Sequence, residues 1–172
     1  MKTIGVISIV KQKEFKKAII EVPNFPIEGV SFKDISPVLE SSVLWHWTIK
    51  QMRELVELPD YWVGVDSRGF LFAGGLAYNF PAGLIMCRKK GKLPPPVESY
   101  TYQLEYGEDT LEMKRGEGKV VIVDDVYATG GTMEAVEELC KRAGYTVIDK
   151  LCFIDLQYLH EGVKCKSLVQ YE

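Results

Sequence analysis

Hydrophobic positions change their spacing along the chain. Near the start, Phe15, Ala18, Ile19 and Val22 recur at helical spacing among lysines, which predicts an amphipathic helix ending before Pro23. Asn24–Pro37 reads as a loop punctuated by Pro26, Gly29 and Pro37. Ser41 or Ser42 can cap a second helix, on which Leu44, Trp45, Thr48, Met52, Leu55 and Val56 share a face and which Pro59 closes. Beyond it, short apolar runs alternate with helices. Tyr61–Val65, Gly83–Cys87, Lys119–Val123 and Tyr145–Phe153 are the expected strands. Asp66–Gly69 is a loop opening a small-residue helix through Tyr78, and a glycine loop opens another helix over Thr132–Ala143. Gly144 stands where a helix C-cap glycine belongs. Unbroken apolar strands separated by helices predict an α/β fold, a central parallel sheet with helices on both faces. Lys89–Met113 does not fit that plan. With Pro94, Pro95, Pro96 and many polar residues, it reads as a long excursion from the sheet, of the kind that forms lids and binding loops.

Composition narrows the chemistry. The 172 residues suit one domain, enough to bury about 70% of the unfolded surface without a disulfide or metal staple. With 21 basic and 24 acidic residues, the net charge of −3 argues against a general nucleic-acid coat. Cys87, Cys140, Cys152 and Cys165 form no CxxC pair, and His46 and His160 lie at no metal spacing from them. Four free thiols suit a reducing cytoplasm. Ile4–Val10 is short for a spanning helix and has no small-residue cleavage site after it, so a soluble cytoplasmic protein with no membrane partner is expected. Trp45, Trp47 and Trp62 read as core or interface aromatics, and His46 as structural.

The strongest chemical signal is the run Val120–Thr132. A buried strand delivers Asp124 and Asp125 to its carboxyl end, where α/β sheets bind ligands. The loop that follows, Ala128–Thr132, has two glycines and two threonine hydroxyls and opens a helix. Its successive N–H groups make an anion cradle, reinforced by the helix dipole. Carboxylates repel a bare phosphate but accept hydrogen bonds from sugar hydroxyls, so a ribose 5-phosphate satisfies both halves. There is no Gly-x-x-x-x-Gly-Lys run of the nucleoside triphosphatase type. Asp66–Gly69 also follows a strand and opens a helix, and its amides and Arg68 suit a pyrophosphate; alone, it reads equally well as a helix start with a surface arginine. Arg88–Lys92 is a basic cluster whose default reading is a solvated charge run, but it follows a strand end.

The run Val120–Thr132 resembles the phosphoribosyl pyrophosphate motif of type I phosphoribosyltransferases. Phe25–Pro37, Asp66–Phe70, Arg88–Pro94, Leu104–Gly107 and Val169–Glu172 match, in order, segments of the adenine phosphoribosyltransferase family. The resemblance covers nearly the whole chain. It implies a type I phosphoribosyltransferase-like fold in one domain, with residues 1–40 as a small N-terminal hood and 89–113 as a lid. It also implies a transferase making AMP and pyrophosphate from adenine and phosphoribosyl pyrophosphate, with magnesium held mainly by substrate and water, in a homodimer.

Roles follow residue by residue from that resemblance. Asp124 and Asp125 hold the ribose hydroxyls and favour oxocarbenium charge, while Ala128, Thr129, Gly130, Gly131 and Thr132 grip the 5-phosphate. Asp66, Ser67, Arg68, Arg88, Lys89 and Lys92 take the pyrophosphate, with a non-proline cis peptide expected at Asp66–Ser67. Glu105, flanked by Tyr102 and Tyr106 in the lid, contacts N7 of the purine, where positive charge develops as the bond forms at N9; Tyr106 belongs to the lid or interface. Phe32 stacks on the base with Val126 or Tyr127 opposite, and backbone groups around Ser31 and Lys33 read the purine edge. The family shows leucines where Val126 and Tyr127 stand, an aliphatic residue at Ser31 and arginine more often than lysine at Lys33. The segment between Gly107 and Val120 is short for some members. A phosphoribosyltransferase for hypoxanthine, guanine or xanthine is therefore the alternative, and a non-catalytic phosphoribosyl pyrophosphate sensor a more distant one.

Overall fold

The computed structural model describes residues 9–104 and 107–172, and the side chains of those from residue 13 onward other than Leu104. The described residues gather into two compact units, one ending at Gln51 and the other running from Met52 to Glu172.

In the first unit, helix α1 (Ile9–Ala18) buries Phe15 as its spacing predicts. It stops four residues earlier than the pattern suggests. Strand β1 (Ile20–Pro23) pairs antiparallel with β2 (Ser31–Asp34), setting Val22 opposite Phe32. The expected loop is thus a hairpin: the β-branched Ile20 and Val22 find a ladder partner that local periodicity cannot reveal. Its turn is closed by the Asn24 carbonyl oxygen Oδ1, which accepts the Gly29 N–H at 2.9 Å. Pro37 falls in the first turn of the short helix α2 (Ser36–Glu40), where its missing N–H costs nothing. Helix α3 (Ser42–Glu54) starts in this unit, and the Ser41 hydroxyl accepts the Leu44 N–H at 3.3 Å, so Ser41 is the cap.

The second unit is a seven-stranded sheet in the order β5-β6-β4-β3-β7-β8-β9. Five strands run parallel: β3 (Tyr61–Val65), β4 (Gly83–Lys89), β7 (Gly118–Tyr127), β8 (Tyr145–Leu156) and β9 (Lys166–Tyr171). Alternate residues of each strand face opposite helices. Helix α4 (Gly69–Asn79) takes one face, where Phe72 stacks on Phe153 at 5.5 Å and Gly64 leaves room for Phe70 and Ala73. On the other face, Val136 and Leu139 of α5 (Gly131–Ala143) pack with Val63, Val65, Val120 and Ile122. That is the sheet covered on both sides that unbroken apolar strands require. Gly144 caps α5 with φ +102, its N–H shared between the carbonyls of Cys140 and Lys141.

Residues 89–113 do not leave the sheet as expected. After Pro96 the chain forms β5 (Glu98–Leu104) and β6 (Gly107–Met113), an antiparallel hairpin whose second strand joins the edge of β4. Tyr100, Tyr102, Leu111 and Met113 face the core, while Thr101 and Thr110 bond to each other on the exposed side. Such half-buried strands alternate tyrosine with polar residues, so no continuous apolar run marks them.

Candidate active site

Strands β3, β4 and β7 end side by side, and the chain leaving each carries chemistry. The carboxyl end of β7 brings Asp124 and Asp125 to a cavity of about 350 Å³, shared with Asp66, Ser67, Arg68, Lys89 and Thr132. An adjoining cradle of about 90 Å³ is formed by Val126, Ala128, Thr129, Gly130, Gly131 and their neighbours at the start of α5. The structure thus places the two carboxylates and the glycine cradle together, as the run Val120–Thr132 predicts. This is the position at which open α/β sheets bind ligands.

The two carboxylates are wired differently. Asp124 Oδ1 accepts the backbone N–H of Asp125 at 2.8 Å. Asp125 Oδ2 lies 2.8 Å from the Arg68 guanidinium, and both groups line the cavity. Burial, and next the charge of Asp125, push the Asp124 carboxyl well above the usual carboxylate range, with Arg68 pulling it back. Asp124 thereby gives up its proton reluctantly. Gly69 makes the arrangement fit. A Cβ there would stand 2.7 Å from the Val123 carbonyl oxygen and 3.0 Å from Asp124 Oδ1, so only glycine lets α4 start against the acid.

The basic side of the cavity is equally tied. Asp66–Ser67 is a cis peptide between non-proline residues, as expected at this position. Asp66 Oδ2 accepts from Arg88 Nε at 3.3 Å, and Lys89 Nζ pairs with Asp109 Oδ2 at 3.3 Å. Lys92 is exposed beside them, and its carbonyl accepts from Arg88 Nη1 at 3.2 Å. Tyr102, Asp109 and Leu111 also line the cavity. Their pattern gave no sign of this, because it depends on the hairpin register that sets Tyr102 opposite Asp109.

Not every expected contact is brought to this place. Val126 is half-buried at the cradle, but Tyr127 is 1% exposed and its ring joins the core beside Met133, edge-on to His160 at 4.8 Å. Of the Val126-or-Tyr127 pair expected to face the base, burial takes the Tyr127 ring into the core and leaves Val126 half-buried at the cradle. Burial pushes the Tyr127 phenol up to about 12. In the first unit, Lys33 Nζ lies 2.7 Å from Glu21 Oε1 and 3.5 Å from Ser31 Oγ, and Phe32 packs edge-on against Phe25. Glu105 and Tyr106 lie outside the described residues. The four cysteines are free and buried, and burial raises the thiols of Cys87, Cys140 and Cys152, which fits no nucleophile.

Residues 46–159 match the model of the phosphoribosyl transferase domain family. An adenine phosphoribosyltransferase of Hydrogenovibrio crunogenus is 43% identical over 94% of this chain and 99% of its own. One from Carboxydothermus hydrogenoformans is 44% identical, with 92% and 99% covered. Among solved structures, the adenine phosphoribosyltransferase of Rhodothermus marinus superimposes with a TM-score of 0.86 at 39% identity, covering 95% of this chain and all of that one. The Saccharomyces cerevisiae enzyme, complexed with adenine and an imino-altritol bisphosphate, gives 0.80 at 33% identity, with 92% and 97% covered.

Proposed function

The chain belongs to the adenine phosphoribosyltransferase family, and from that premise we propose how its residues carry out the reaction. The protein forms AMP and pyrophosphate from adenine and phosphoribosyl pyrophosphate. N9 of adenine bonds to C1 of the ribose as the C1–O bond to pyrophosphate breaks; the electron pair of that bond leaves with the pyrophosphate, and the imidazole-ring proton that adenine loses passes to the Glu105 carboxylate at N7. The observation that carries this reading is the junction at the end of β7, where paired carboxylates and a phosphate-sized cradle adjoin in one strand-to-helix turn.

Each group has one task. The cradle Ala128–Thr132 offers successive amides and the Thr129 and Thr132 hydroxyls to the 5-phosphate. Asp124 and Asp125 accept from the ribose hydroxyls and stabilise positive charge as C1 opens. Arg68, Arg88 and Lys89, with Ser67 and Lys92, offset the charge of the leaving pyrophosphate. Magnesium takes hard oxygen ligands and keeps much of its water, so the phosphates would carry most of its coordination, with the cavity carboxylates offering oxygens of the right kind. When bound, it supplies further neutralisation of the pyrophosphate. Ser31, Phe32, Lys33 and Val126 are assigned to the base and residues 1–40 to the hood, in a single functional domain.

A homodimer is supported by an apolar face. Leu71 and Tyr78 of α4 are exposed, Tyr78 at 91%, and Leu84 and Met86 of β4 are exposed on the same side of the sheet. No helix among the described residues is long and apolar enough to cross a membrane, and four free thiols fit a cytoplasmic setting.

Mixing the protein with phosphoribosyl pyrophosphate, magnesium and each purine in turn, and measuring pyrophosphate release, tests the reading. Adenine should be consumed at least tenfold more efficiently than hypoxanthine or guanine, a difference of about 1.4 kcal/mol. Equal efficiencies would move the assignment to another purine. Glu105→Ala should leave the melting temperature and phosphoribosyl pyrophosphate affinity almost untouched while turnover falls roughly a hundredfold, the usual worth of a positioned acid–base group. Full activity would remove the carboxylate from N7.

A further inference from the structure

We propose that Glu112, a buried carboxylate outside the cavity, is the positioning residue that holds the basic turn Lys89–Lys92 ready for pyrophosphate. The inference rests on the role given above to that turn. Glu112 is 6% exposed, one of the few buried polar side chains among the described residues, and it does not line the cavity. It sits on β6 directly opposite Arg88 of β4, so two strands fix where its carboxylate can reach. Its Oε2 accepts the N–H of Gly91 at 2.9 Å. Gly91 has φ +78 and stands at the bend of the turn. The same turn is closed by the Lys92 N–H to the Lys89 carbonyl at 3.2 Å, and by Arg88 Nη1 to the Lys92 carbonyl. On the hairpin side, the Lys90 N–H reaches the Thr110 carbonyl at 3.0 Å.

A carboxylate is costly to bury unless it is well used, and here its use is local. A glycine at the bend of a four-residue basic turn leaves the backbone many conformations, and mutual repulsion of Arg88, Lys89, Lys90 and Lys92 favours the open ones. One charge-assisted bond to the central amide selects the closed turn, and the negative charge lowers the repulsion that opens it. Ordering the turn beforehand strengthens binding of the group the turn meets, and of no other part of the substrate. Glu112 therefore governs affinity for the pyrophosphate end while leaving the 5-phosphate cradle and the base alone.

The test compares Glu112→Leu, which keeps volume and removes the acceptor, with Glu112→Gln, which keeps an acceptor oxygen. In Glu112→Leu, KM for phosphoribosyl pyrophosphate and Kd for magnesium pyrophosphate should both rise roughly tenfold. Turnover and the Kd for AMP, which carries no pyrophosphate, should stay within about twofold. Glu112→Gln should recover the part of the loss that belongs to the acceptor oxygen, leaving KM between those of Glu112→Leu and the unaltered protein. In the unaltered protein the Gly91 amide should exchange slowly with deuterium, a reading that needs no variant to fold. Fast exchange at Gly91 would overturn the inference. So would unchanged pyrophosphate affinity in Glu112→Leu, or equal weakening of AMP and pyrophosphate, which would make Glu112 a general structural residue. If the unaltered protein binds AMP but not magnesium pyrophosphate, the pyrophosphate role of the turn fails first and this inference with it.

Discussion

Asparagine in place of Asp125 should lower turnover on the order of tenfold to a thousandfold while leaving the fold in place. The backbone N–H of Asp125 bonds to Asp124, an interaction the substitution does not touch. Asparagine also keeps the shape and one acceptor oxygen for a ribose hydroxyl. What it removes is the charge that faces Arg68 at 2.8 Å. Arg68 is about one-third exposed, so water can solvate it once its partner is neutral. The missing charge matters most when the ribose carries positive charge, so the loss belongs to turnover and less to KM. A second effect has a definite sign. The charge of Asp125 is one of the causes holding the Asp124 carboxyl high, so its removal lowers that group. Asp124 then stays ionised to lower pH, and the acid limb of the rate profile moves to more acidic values. Unchanged turnover at saturating magnesium would make Asp125 structural.

Gly130→Ala should weaken phosphoribosyl pyrophosphate binding at least tenfold, for two separable reasons. Gly130 has φ +95, a conformation that costs an alanine about 1–2 kcal/mol. A Cβ there would also stand 2.4 Å from the Tyr127 hydroxyl and 2.9 Å from its ring carbon Cζ. Tyr127 is held in the core edge-on to His160, so the loop rather than the ring must move. Moving it disturbs the amides that face the 5-phosphate. Tyr127→Leu removes the collision but not the φ strain. On that background Gly130→Ala should cost less, and the difference between the two measured losses is the coupling of positions 127 and 130. Equal losses on both backgrounds would assign the whole effect to backbone conformation.

The parallel half of the sheet and the cradle were legible because they are local. Val120–Thr132 holds its strand, acids and glycines in one continuous stretch, and Tyr61–Val65 and Gly83–Cys87 are unbroken apolar runs. Features made by distant pairing were not legible. Ile20–Pro23 continues a helical spacing and becomes a strand only because Ser31–Asp34 lies beside it. Tyr102 and Asp109 reach the cavity only through the register of β5 with β6. Tyr127 was misplaced for a related reason: it adjoins the loop in sequence, but its ring packs into the core cluster that Val120, Ile122 and Met133 share.

The β5–β6 hairpin also constrains how this sequence can change in length over generations. Its side chains alternate between the core and the exposed side, and Tyr102 and Asp109 meet as direct partners. Deleting one residue inside β6 would exchange the sides of Asp109 and Thr110, take Lys89's partner away from it and bring a hydroxyl where the carboxylate stands. Residues added between Leu104 and Gly107 leave every pair of the ladder intact. Chain-length variation among descendants of this sequence should therefore collect in that connection and avoid both strands, a bias set by pleat geometry before any selection on catalysis.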